Sequence, residues 1–206
     1  MNGMDDAVTD PVAPRRGRPG YDQETVLRRA IDVFNRQGYE GTSMGDLARE
    51  LGLTKSAIYH HVPSKEHLLE SAIDEALDAL TASLDVVAAT PGLDAGQRLR
   101  AAVRGSVVVL VEHLPAVTLL LPVRGNTPAE KAALRRRREI DDRLAEMVRA
   151  AADAGAIRKD LDPLLTSRLL FGMVNSMTEW LRDGGDVETI ADTVTTLAFD
   201  GLTRHD

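Results

Sequence analysis

Thr42-Ser43-Met44-Gly45-Asp46-Leu47-Ala48, followed by Leu51-Gly52-Leu53-Thr54-Lys55-Ser56-Ala57-Ile58-Tyr59-His60-His61-Val62-Pro63-Ser64-Lys65-Glu66, reads as two short helices joined by a tight turn. Thr42 or Ser43 caps the first, which turns Met44, Leu47, Ala48 and Leu51 inward and stops at Gly52. Thr54 opens the second, which runs to about His60 before Pro63 ends it. Helix, turn and helix of these lengths have the proportions of a helix-turn-helix, in which the second helix enters the major groove and the first crosses the backbone. From spacing alone an ordinary helical hairpin fits equally well.

In the helix-turn-helix reading, Lys55, Ser56 and Ala57 face base edges. A Lys ammonium donates to guanine O6 and N7, a Ser hydroxyl pairs with either kind of edge, and an Ala methyl packs on a thymine methyl. Thr54 fixes the start of that helix, while Tyr59, His60 and Lys65 reach phosphates, together with free N–H groups around Thr42 and Ser43.

The same stretch resembles the DNA-binding signature of the TetR/AcrR family of bacterial transcriptional regulators, over some 50 residues from Val26 to Leu69. Tyr59-His60-His61 and Ser64-Lys65-Glu66 are its specific part, and Val62 departs from it, since the family commonly has Phe there. The resemblance implies an all-α homodimer with an N-terminal helix-turn-helix domain and a C-terminal ligand-binding and dimerisation domain. It implies double-stranded operator DNA with palindromic half-sites as a partner.

Charge is distributed accordingly. The chain has 206 residues and a formal charge of -7. Residues 11–65 nevertheless hold nine Lys/Arg against six Asp/Glu, whereas residues 66–206 hold 16 against 23. A basic front on an acidic body points to a small nucleic-acid module carried by a larger domain. Residues 1–20, rich in Pro, Gly and Asp, read as a flexible arm. Within it, Arg15-Arg16-Gly17-Arg18-Pro19 resembles an AT-hook core, whose Arg side chains enter the narrow minor groove of A·T-rich DNA.

The remainder is punctuated by helix signals, giving about nine helices in all and no convincing strand. Asp22 caps a first helix closed by Gly38, and Ser64 caps a long one to about Val87. Asp94 with Gln97, and Thr127 with Glu130 behind Pro128, start helices at about 95–113 and 128–154. His113-Leu114-Pro115 breaks the chain before the apolar stretch Ala116–Leu121. Asp162-Pro163 opens a helix through Leu181, and Asp186 caps the last. The organisation expected is an arm over 1–20, a helix-turn-helix domain over 21–66 and a ligand-binding and dimerisation domain over 67–206.

The 163–181 helix is apolar around most of its circumference and must be buried on two sides. With the stripe of the last helix it offers a two-fold interface carried by Leu169, Met173, Trp180, Val194, Leu197 and Leu202. An effector cavity is expected over residues 95–154, with walls from Val107, Leu110, Val111, Leu120, Phe171, Val174 and Met177. Its polar groups would be His113, Arg124, Asn126 and Asn175. The run Arg135–Arg138 reads as a solvated face, with Glu139, Asp141 and Asp142 as helix-surface partners.

Arg124-Gly125-Asn126-Thr127-Pro128, with Leu169-Leu170-Phe171-Gly172-Met173, Asn175-Ser176 and Trp180, is similar to a TetR subgroup that regulates fatty-acid and phenylacetate degradation and releases DNA on binding acyl-CoA. That resemblance implies a small-molecule effector of the acyl-CoA class. Catalysis is not expected: there is no Glu-x-x-His, no His-Glu-x-x-His and no phosphate-binding Gly loop, and the absence of Cys removes thiolate chemistry. No cofactor and no metal are expected. No apolar run reaches the roughly 18 residues a membrane helix needs, so the chain reads as cytoplasmic with no membrane partner. The leading expectation is a repressor released from its operator by a small organic effector; the alternative is a TetR-like nucleoid or interaction protein without one.

Overall fold

Short polar side chains set nearly every helix start. In the computed structural model, which describes residues 22–182 and 185–201, Asp22, Ser43, Thr54, Ser64, Asp94, Thr127, Asp162 and Asp186 each accept the N–H three residues on. The helices they open are α1 (Gln23–Gln37), α2 (Met44–Glu50), α3 (Lys55–His61), α4 (Lys65–Ala89), α5 (Ala95–Glu112), α7 (Pro128–Asp153), α8 (Pro163–Asn175) and α10 (Val187–Phe199). Two more begin without a side-chain cap: α6 (Leu114–Leu120) and α9 (Met177–Trp180). All described regular structure is helical.

There are thus ten described helices where the pattern predicts nine. The continuous 163–181 helix is interrupted at Ser176, and the cause is local. The Ser176 hydroxyl donates to the Met173 carbonyl at 2.7 Å and the Thr178 hydroxyl to that of Asn175 at 2.9 Å. Hydroxyls that occupy carbonyls in this way compete with the helical ladder and bend it.

α4 holds the molecule together. It packs against α1 at one end and against α5, α6 and α7 along its length. Leu68, Ile73, Leu77 and Leu84 on it are essentially inaccessible, and burying each such side chain contributes about 1.5–3 kcal/mol. One apolar cluster runs from Val26 through α4 to Val194, so the domains expected to divide near residue 66 share a core.

α5 and α6 turn through 100° at His113, whose N–H donates to Val109 and whose carbonyl accepts from Val117. This corner lays α6 across α1 and α4. Among the described residues no single helix is long and apolar enough to cross a membrane.

Ion pairs fix how the outer helices lie. Arg136 on α7 reaches Asp74 at 2.8 Å and also Asp78, and Arg143 reaches Asp85 at 2.6 Å, all on α4. Arg136 is therefore a bridge between helices and not part of a solvated run. Arg100 on α5 binds Asp200 at 2.7 Å, and Arg104 binds Glu188 and Asp192 on α10. Partly exposed pairs of this kind add about 0–1 kcal/mol each. Their effect is on register more than on stability.

Candidate nucleic-acid interface and effector cavity

The turn between α2 and α3 works because Gly52 adopts φ +64°, a left-handed conformation that costs Gly nothing. It lets the Leu53 N–H return to the Ala48 carbonyl at 2.8 Å. Leu47, Leu51, Ile58 and Val62 are buried beneath the turn, Val62 filling the place where the family signature commonly has a ring. With one face of α3 committed to that core, the other is left to solvent. Lys55, Ser56, Tyr59 and His60 are exposed and Ala57 is half-buried. Lys55 is the first residue of α3, directly after the Thr54 hydroxyl that accepts the Ala57 N–H at 3.1 Å.

A concave surface of about 540 Å³ separates the start of α2 from α3 and gathers Thr42, Ser43, Lys55, Tyr59 and Lys65. Not every group there is presented as the sequence predicts. The Thr42 side chain is buried, its hydroxyl donating to Gly38 at 2.8 Å and its N–H to Tyr39. The Ser43 N–H donates to Asp46 Oδ2 at 3.0 Å in a full capping box. Neither amide is a free donor, which corrects the expectation placed on them; the Met44 and Gly45 amides are the ones without an acceptor among the described residues. The Ser43 hydroxyl, followed by the Ser43 backbone, holds the Asp46 carboxyl below its ordinary range.

Lys65 lies along Tyr39, its Nζ donating to the Tyr39 carbonyl at 3.0 Å and sitting 4.2 Å from the ring centroid. Burial, with Glu66, Glu40 and Glu130 nearby, pushes the Tyr39 phenol up to about 12. Tyr39 is not among the residues the sequence pattern singles out; its one signal there is an aromatic directly after the helix-ending Gly38. Arg15, Arg16 and Arg18 of the arm lie outside the described residues.

In the C-terminal part, Val107, Leu110, Leu120, Phe171, Val174 and Met177 are buried members of the common core. Val111 and Asn175 are half-buried. His113 is occupied differently, its Nδ1 lying 2.9 Å from Glu75 Oε1 on α4. Arg124 and Asn126 do line an open cavity, of about 510 Å³, but that cavity lies between the α1–α2 turn and the α6–α7 loop, away from those walls. The sequence pattern places all eleven residues around one ligand; the structure brings only these two to this cavity. The reason is Glu130. Its carboxylate bypasses the reciprocal bond of a capping box and accepts the Gly125 and Asn126 N–H groups at 2.8 and 2.7 Å, pinning the loop to the first turn of α7.

The residues expected at a two-fold face differ in exposure. Leu165, Leu169 and Trp180 are more than half exposed, with Leu161, Leu164 and Leu197 somewhat less so. Met173 is half-buried against the core. Val194 is only 8% exposed and belongs to the core of its own chain, because α10 lies on α5 and this face of it is covered. It has no surface to offer a second copy. Leu202 lies outside the described residues. No group of three His, Asp or Glu among the described residues is placed to hold a metal.

Residues 26–72 match the family model described as bacterial regulatory proteins, tetR family, and residues 92–202 match that described as tetracyclin repressor-like, C-terminal domain. The chain is 26% identical to the HTH-type transcriptional repressor KstR2 of Rhodococcus jostii over 93% of its own length and 96% of the relative's. A solved TetR transcriptional regulator from Streptomyces coelicolor A3 superposes with a TM-score of 0.82 at 45% identity, covering 90% of this chain and 94% of the other. AibR, solved in complex with isovaleryl coenzyme A and operator DNA, superposes with a TM-score of 0.73 at 27% identity, covering 86% and 97%.

Proposed function

This chain belongs to the TetR family of bacterial regulatory proteins, and from that premise we propose that it is a cytoplasmic repressor that holds a two-fold operator as a homodimer and leaves it when an acyl-CoA binds. A DNA-binding regulator and not an enzyme is what the family comprises. The observation that carries the DNA reading is α3: a capped helix with its apolar side locked in the core and Lys55, Ser56 and Tyr59 on its free side. Lys55 and Ser56 read bases at the mouth of that helix. Tyr59, His60 and Lys65 position the backbone.

The homodimer is supported by the exposed leucines of α8 with Trp180, an apolar surface that a second copy would cover. The acyl-CoA class is supported by AibR, whose complex holds both isovaleryl coenzyme A and operator DNA. Binding in the C-terminal domain biases the separation of the two recognition helices, so that the liganded dimer no longer spans both half-sites.

Fluorescence anisotropy on the DNA upstream of the protein's own gene tests both parts. Tight binding that decays on addition of short- and long-chain acyl-CoAs supports the reading. Tight binding indifferent to every acyl-CoA would remove the effector class and leave the DNA function standing.

A further inference from the structure

The 510 Å³ cavity between the α1–α2 turn and the α6–α7 loop is left unused by the DNA contacts and by the C-terminal core. Its size is that of ordinary small-molecule clefts, about 300–1,000 Å³. Phe34, Leu69, Leu119, Pro122 and Val123 make most of its lining apolar. Leu119 and Val123 belong to or pack on the core, so this surface is firmly backed.

Arg124 is the one cation among the described residues of the lining, and it is exposed and makes no ion pair with a described residue. That sets it apart from Arg136 and Arg143 on the following helix, which are spent on α4. Two carboxylates also line the cavity. Glu130 is 5% exposed, and its charge is taken up by the Gly125 and Asn126 N–H groups. Glu40 is exposed to water. An unpaired guanidinium beside a hydrocarbon surface has a definite complement. A carboxylate accepts two N–H bonds from the planar fork, and an attached hydrocarbon leaves water for the apolar wall.

We propose that this cavity binds a small amphipathic monocarboxylate, its carboxylate on Arg124 and its hydrocarbon on the Phe34–Leu119–Val123 surface. The occupant bridges the two parts of the chain. Gly38 and Gly41 in its wall are one step from the α2 cap, since the Gly38 carbonyl accepts the Thr42 hydroxyl and Ser43 caps α2. A ligand pressed on this turn acts next to the helix-turn-helix, and through Leu69 it also touches the start of α4. Arg124 and Asn126 also belong to the stretch that resembles acyl-CoA-responsive regulators, so the site is tested with free acids and not with acyl-CoA.

Isothermal titration of the full chain with octanoate and with 4-phenylbutyrate tests it and separates an alkyl from an aryl tail. At least one acid is expected to bind saturably. Arg124→Gln should weaken it at least about tenfold, the loss of a charge-assisted pair, and Arg124→Lys should recover part of that. A diazirine-bearing octanoate should label the peptides spanning 34–41 and 118–126. The proposal is overturned if neither acid binds, if Arg124→Gln binds as well as the parent, if labelling falls elsewhere, or if octylamine competes as strongly as the acids, which would assign the cavity to Glu40. Operator release by acyl-CoA is scored separately, and either result can occur without the other.

Discussion

The Asn35 side-chain amide on α1 donates to the backbone carbonyl of Pro115 on α6 at 2.9 Å. Two residues earlier the chain turns its 100° corner at His113, whose ring meets Glu75 of α4. The first helix of the DNA module is thereby tied to the helix that continues α5 into the domain junction, while the corner itself is held from α4. A shift of α6 cannot leave α1 where it was without breaking this bond. Coupling between two sites requires some contact that differs between states, and this is a specific candidate.

Replacing Asn35 with Ala should lower the melting temperature modestly. One net hydrogen bond is worth about 1 kcal/mol, which for a chain of this length is roughly 2–4 °C by differential scanning fluorimetry. Operator affinity without effector should stay close to the parent, while the drop in affinity caused by effector shrinks. An unchanged ratio of affinities with and without effector would show that the bond holds the fold but transmits nothing.

Leu169 is 65% exposed on α8, so Asp at this position disturbs little within one chain. In a dimer it would place two carboxylates in an apolar interface, where unpaired charge is costly. Leu169→Asp should sediment as a monomer at micromolar concentration with near-parental helicity, and should lose most of its operator affinity. A dimer of parental strength would move the two-fold contact off α8.

The sequence carried the fold well because its helix starts are local chemistry. Asp22, Ser43, Thr54, Ser64, Asp94, Asp162 and Asp186 each act through a neighbour three residues away, and such bonds can be read from adjacent letters. The exposed side of α3 was legible for the same reason. What could not be read depends on distant contacts. Arg136 looks like part of a solvated run until α4 brings Asp74 and Asp78 to it. Val107 and Val174 fit a cavity wall or a core equally by composition, and only packing decides for the core. Glu130 is a local exception: its spacing from Thr127 fits a capping box, yet its carboxylate takes the nearby amides of Gly125 and Asn126 instead.

The Asp46 carboxyl is held below its ordinary value of 3.8 first by the Ser43 hydroxyl and then by the Ser43 N–H. A carboxyl whose folded value is depressed contributes stability that is full above the unfolded value and lost as pH falls through the folded one. Asp46→Asn should therefore melt below the parent at neutral pH, and the gap should hold down to about pH 5 and then close as pH falls below about 3.8. A gap that persists unchanged in acid would mean that shape and not charge makes the cap.

Arg15 and Arg18 precede α1 by a few residues and supply positive charge to the arm. Arg15→Ala with Arg18→Ala should weaken operator binding and flatten the dependence of log K on log salt by about 0.9 for each phosphate no longer neutralised. Base preference at the positions read by α3 should be untouched. Operator titrations across a salt series separate the two effects, and an unaltered slope would exclude the arm from the electrostatic part of binding.

Lys55 stands at the first position of α3, exposed and free of any ion pair with a described residue. A helix entering the major groove by its N-terminus brings that position to a base edge, where a Lys donates to guanine. Lys55→Ala should cost about 1–3 kcal/mol on the native operator, roughly 5- to 150-fold in affinity, and should abolish discrimination at one base pair. Changing that base pair should then penalise the parent but not the variant, which a double-mutant cycle of protein against DNA measures directly. If Lys55→Ala instead weakens all sequences equally and reduces the salt slope by about one, Lys55 holds a phosphate, and base reading passes to Ser56 and Ala57.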